Sequence, residues 1–272
     1  MNNKMELYHY TTLESFWKMI SMSAENEKVS IELINIMHRM ENGESPYGLS
    51  VLRRAIGEYE SRNNIPSEQS KIEVPFFRND RVMLVGPDKE MYIFPLSECP
   101  DNKEWWTSVS SSETKVAIGF DYLALVDYCI SANLFLLKCK YDEAKALEVF
   151  VNQLDTEYDT FDYDEEHSRF SVHTKFFSMM YNACLEVDDP AKSDSKEWRL
   201  TSFASPLEAS YSYKNGKIIP FELLKLPPNV IKSICIQTNG YCDIVISGIL
   251  GLLEKEGFDT EVIEIRKSAI HV

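Results

Sequence analysis

At 272 residues the chain is long enough to bury a full core without disulfide or metal staples. Its 44% hydrophobic and 26% charged content is that of an ordinary globular protein. A formal charge of −15, from 28 basic against 43 acidic side chains, repels polyanions and so disfavours nucleic acid or an anionic membrane as partner.

A strand is predicted over Leu7 to Thr12, followed by a helix in which Leu13, Phe16, Trp17, Met19 and Ile20 recur at helical spacing. Val29 to Ile34 reads as a short strand, and Met40 to Glu44 as a charged turn. Leu49, Leu52, Ala55, Ile56 and Tyr59 make an amphipathic helix with Pro46 near its first turn. A polar loop over 61–71 precedes strands at Arg81 to Val85 and Met91 to Leu96. Trp105 and Trp106 follow a Pro100-Asp101-Asn102 turn, and Lys115 to Phe120 is another strand. A helix over 121–132, a strand over Leu134 to Tyr141 and a helix over 142–154 lead into an acidic excursion, Asp155 to Glu166. Residues 168–184 read as helical and Asp188 to Ser195 as a polar loop.

The last third is richer in strands. Glu197 to Phe203, Glu208 to Tyr213 and Lys217 to Leu223 follow one another, the last two joined by an Asn215-Gly216 hairpin turn. After the Pro227-Pro228 break come a strand, Val230 to Gln237, a helix over 241–256 and a final strand, Thr260 to Arg266. With no repeat and no Gly/Ser linker, residues 1–272 are expected to form a single α+β domain with a helical insertion.

The six cysteines show no C-x-x-C spacing and mostly sit in apolar strings, as small hydrophobes do. The N-terminus carries Lys4, Glu6 and Glu14 and lacks a signal-peptide apolar run. The longest apolar stretches contain Asp127 and Asp243 and fall short of a membrane span. The expectation is a reduced, soluble, cytoplasmic protein.

Two motifs carry the chemistry: Leu7-Tyr8-His9-Tyr10-Thr11-Thr12 and Lys196-Glu197-Trp198-Arg199-Leu200. Strand alternation puts His9 and Thr11 on one face of the first, and Glu197, Arg199 and Thr201 on one face of the second. Facing a common cleft, His9, Thr11 and Glu197 would bind a sugar and stabilise positive charge. Taken singly, each residue also fits a structural role, with His9 capping a strand and Glu197 pairing with Arg199. Other signals are weaker. His167 and His173, among Asp162, Asp164, Glu165 and Glu166, match no zinc spacing, and no metal is expected. Neither a Walker nor a Rossmann glycine motif occurs, and Ser108 to Ser112 lacks the glycines of a nucleophile elbow.

The two motifs resemble those of the bacterial domain-of-unknown-function family DUF2971, whose members open with Y-H-Y-T and carry a late E-W-R-L. The similarity extends through Met40 to Glu44, Tyr92 to Glu98, Trp106, Val116 to Phe120 and Lys267 to Ile270. That family is distantly similar to ADP-ribosyltransferases, which implies a split β-sandwich with an NAD site in a cleft between two small sheets. By the resemblance, His9 and Glu197 are catalytic and His9, Tyr10, Thr11, Arg199 and Trp106 hold NAD as substrate. Glu197 would steady the oxocarbenium-like transition state of nicotinamide–ribose cleavage. ADP-ribose would then pass to a macromolecular acceptor or to water, an activity suited to a toxin or phage-defence effector.

Three departures accompany the match. Ser195 replaces the acidic residue two before the glutamate, Val109 stands where a tyrosine is common after Trp106, and Pro95 replaces a serine. Tyr10, Trp106 and Tyr92 are all candidates to stack on nicotinamide. The degraded middle keeps a second reading open, a catalytically inactive ligand- or protein-binding module on the same fold.

Overall fold

A computed structural model describes residues 5–21, 29–36, 46–66, 69, 90–109, 114–158, 163–164, 169–170, 179, 182–205, 207–214 and 216–270. The 40–44 turn, the strand expected over 81–85, half of the acidic excursion (159–162 and 165–166), His167 and His173 lie outside them.

The described strands are β1 (Glu6–Thr12), β2 (Val29–Asn35), β3 (Glu90–Ser97), β4 (Thr114–Asp121), β5 (Phe135–Lys138), β6 (Tyr163–Asp164), β7 (Arg169–Phe170), β8 (Glu197–Ala204), β9 (Ser210–Lys214), β10 (Lys217–Leu226), β11 (Ile231–Thr238) and β12 (Glu264–Lys267). The helices are α1 (Leu13–Ser21), α2 (Tyr47–Arg62), α3 (Lys103–Ser108), α4 (Tyr122–Ala132), α5 (Glu143–Glu157) and α6 (Cys242–Lys255). The chain is thus α+β.

Ten strands form one mixed, open sheet in the order β12-β11-β4-β1-β3-β2-β10-β9, with β8 against β3 and β5 against β8. Strand β3 is the junction. Its whole length pairs with β8, while its other edge meets β1 at Ser97 and β2 at Tyr92 and Ile93. One continuous ladder therefore replaces the two small sheets expected to flank a cleft. The pair β6–β7 forms a separate two-stranded ribbon.

Helices cover both faces. On one, Leu7, Phe94, Leu96, Ile118, Phe120 and Leu200 pack with Phe16 of α1, Leu125 of α4 and Leu253 of α6. On the other, Met91 and Ile93 pack with α2 and α5, while Tyr8, Tyr10 and Ala117 pack on Trp106 of α3. The helix starts follow from capping: Asn102, Asp121 and Asp142 accept backbone N–H groups of α3, α4 and α5.

Several expectations are corrected. Trp17 is 52% exposed rather than part of the α1 core face. Trp105 and Trp106 lie in a six-residue helix, too short to show a period. The expected strand 134–141 shrinks to Phe135–Lys138, because Asn133 ends α4 in the left-handed conformation (φ 55°) and β8 offers partners only from Trp198 to Thr201. Arg169–Phe170 is extended within the expected 168–184 helix, of which 179 and 182–184 are helical among the described residues, the helix running on to 186. The 188–195 loop is a 3₁₀ turn from Pro190 to Ser195, and the last strand begins at Glu264.

Candidate functional site

Glu197 opens β8 directly after Lys196, whose left-handed backbone (φ 45°) turns the chain out of the 3₁₀ segment. Its carboxylate accepts from Arg199 Nε at 2.8 Å, and Arg199 Nη2 donates to Asp188 at 2.9 Å. Arg199 Nη1 donates to the carbonyls of Cys184 and Leu185 at 3.1 and 3.2 Å. Glu197, Arg199 and Asp188 are each only 6% exposed. Burial raises the Asp188 pKa despite the neighbouring guanidinium; burial also opposes the Arg199 charge, but Glu197, Cys139 and Asp188 together outweigh it and raise the Arg199 pKa. Cys139, Asp188 and Glu197 also bring donor atoms within 4.8 Å of one another. Arg199 already supplies the positive charge in that cluster.

His9 packs flat on Phe94, with ring centroids 3.9 Å apart, and its Nδ1 lies 2.9 Å from the Pro95 carbonyl. A carbonyl only accepts, so Nδ1 carries the proton. Burial lowers the His9 pKa to about 4, partly countered by the Pro95 bond, and the ring is neutral near pH 7. Tyr10 donates to the Cys99 carbonyl at 2.6 Å and meets Trp106 edge-on at 4.6 Å. Trp106 is fully buried and donates to Asp101 at 2.6 Å. Tyr92 is likewise fully buried.

Register separates these residues. Tyr8 stands opposite Ser97, and Ser97 stands opposite Glu197, so all three point to one face. His9, one residue on, points to the other face and stacks on Phe94 there. Thr11 shares the His9 face, whereas Tyr10, Glu197 and Arg199 share the opposite one with Trp106. The common cleft expected for His9, Thr11 and Glu197 is therefore corrected, since the sheet itself lies between them. Of the residues implied to hold NAD, Tyr10, Arg199 and Trp106 lie on the Glu197 face, while His9 and Thr11 lie on the other.

An open cleft of about 910 Å³ lies elsewhere, where the start of β1 meets the ends of β4 and β5 and the starts of β11 and β12. Glu6, Tyr8, Glu98, Lys138, Trp198, Lys232, Glu264 and Arg266 line it. Glu98 Oε1 accepts from Lys138 at 2.5 Å and from Trp198 Nε1 at 2.9 Å. On the other side, Glu6 Oε2 accepts from Tyr8 at 3.0 Å and from Ser233 at 2.5 Å.

Comparison with family models, curated proteins and solved structures finds no match to this chain.

Glu6, Asp188, Ser233 and Arg266 were not singled out by sequence reasoning. The alternation that put Tyr8 and Tyr10 on one face extends to Glu6 and could have found it. Asp188 and Arg266 carry no local signal, since their partners lie on other elements.

Among the described residues, no helix is long and apolar enough to cross a membrane. All six cysteines are free, four of them buried.

Proposed function

We propose that this chain is a ligand-binding module that does not turn over NAD, built on a single mixed α+β sheet. The observation that carries this reading is the buried Glu197–Arg199–Asp188 ion pair network, with the sheet between Glu197 and His9. A carboxylate that steadies a developing cation must face the substrate. Here its charge is spent on Arg199. The cleft around Tyr8 and Trp198 supports a binding role, its volume of about 910 Å³ falling in the range usual for small-molecule sites.

The test is nicotinamide release from NAD by purified wild type and Glu197→Gln. Neither is expected to exceed the buffer rate. Glu197→Gln is expected instead to lose about 1–3 kcal/mol of stability in urea, because Arg199 keeps one buried charge partner rather than two. Turnover by wild type that Glu197→Gln abolishes, with unchanged stability, would restore the transferase reading.

A further inference from the structure

The cleft keeps charges of both signs apart on one floor. Tyr8, Gly119, Ser233 and Glu264 stand side by side across β1, β4, β11 and β12. The Glu6 carboxylate lies over Gly119, held by the Tyr8 and Ser233 hydroxyls through Oε2 alone. A Cβ at Gly119 would stand 2.4 Å from that oxygen and 2.2 Å from Ser233 Oγ, so only glycine leaves the carboxylate room. Arg266 sits over the Tyr8 ring at 5.8 Å, with Nη2 3.5 Å from the same phenol oxygen that donates to Glu6. The phenol thus spaces a fixed carboxylate from a fixed guanidinium.

Neither charge is satisfied by a close partner of opposite sign. Arg266 reaches Glu264 only at 4.0 Å, and Lys232 makes no ion pair among the described residues. The far wall is different, because Glu98 and Lys138 neutralise each other beside Trp198. Asp121 is committed as the cap of α4. A ligand of one sign would complement half of this floor and oppose the other half.

Resting on the binding-module reading, we propose that the cleft takes a small zwitterion of the α-amino acid type. Its ammonium meets Glu6, and its carboxylate meets Arg266 with Lys232 alongside. The guanidinium suits a carboxylate through paired, charge-assisted hydrogen bonds.

The experiment is calorimetric titration and thermal shift of the full chain with the free α-amino acids at millimolar concentration. The α-amides and N-acetyl derivatives of any binder serve as single-charge controls, and NAD is assayed in parallel for nicotinamide release. At least one free amino acid is expected to bind, with both derivatives weaker by about tenfold or more. Arg266→Gln and Lys232→Gln, at partly exposed positions, are expected to weaken it while the unliganded midpoint stays near wild type. Absence of binding by every amino acid, or equal binding by the derivatives, overturns the zwitterion. Nicotinamide release overturns the module reading, whatever the amino acids do.

Discussion

Arg199 and His9 show how the same residue types serve structure or chemistry according to what surrounds them. Arg199 directs Nε, Nη1 and Nη2 to Glu197, two backbone carbonyls and Asp188, which ties β8 to the segment before the 3₁₀ turn. His9 is half-buried on Phe94 and neutral. Its pKa lies near 4 in the folded protein against 6.5 unperturbed, so the unfolded chain binds the proton more readily. His9 therefore contributes stability that is fully present above pH 6.5 and is lost as pH falls through 4. The loss is on the order of 3 kcal/mol at most. Urea midpoints measured from pH 7 to pH 4 are expected to fall accordingly, and His9→Phe is expected to flatten that limb. An equally steep limb in His9→Phe would assign the acid sensitivity to other groups.

Helix α2 shows what decides an element's tolerance to change. A Cβ on Gly48 would stand 1.8 Å from the Ala183 carbonyl oxygen, which is backbone and cannot swing aside. A Cβ on Gly57, about two and a half turns further along the same helix, would meet nothing within 4 Å. Gly48→Ala is expected to destabilise the protein by about 1–3 kcal/mol through overpacking. Gly57→Ala is expected to stabilise it by about 0.5–1 kcal/mol, because alanine is the better helix former. Chemical denaturation of both variants checks the pair, and the same sign for both would contradict the packing described. The apolar face of α2 was legible in the sequence: Leu49, Leu52, Ala55, Ile56 and Tyr59 are all buried. The close approach at Gly48 was not, since it depends on residue 183.

Across the whole molecule, β3 and β8 carry apolar side chains on both faces, so neither helical layer can leave without exposing the other. Phe94 and Leu200 serve one layer, while Met91 and Ile93 serve the other. The chain is expected to unfold in a single transition, with tryptophan fluorescence and far-ultraviolet circular dichroism coinciding. Trp106 and Trp198 report from opposite sides of the sheet. Two resolved transitions would mean separate domains rather than one. With a net charge of −15, added salt is expected to raise the midpoint by screening self-repulsion.

Local periodicity, caps and turn residues made β1, α1, β2, α2, β3, β4, α4, α5, β8 and β11 legible in the sequence, because the pattern that marks each lies within a few neighbouring residues. The faces within β1 and β8 were legible too, since alternation along one strand needs no partner. Which face of one strand matches which face of another was not. That parity depends on the pairing of Tyr8 with Ser97 and of Ser97 with Glu197, between strands far apart in the chain. A shift of one residue in either ladder would bring His9 and Glu197 to the same side. Composition and motif named the residues; only the register decided that Glu197 meets Arg199 and Asp188 while His9 meets Phe94.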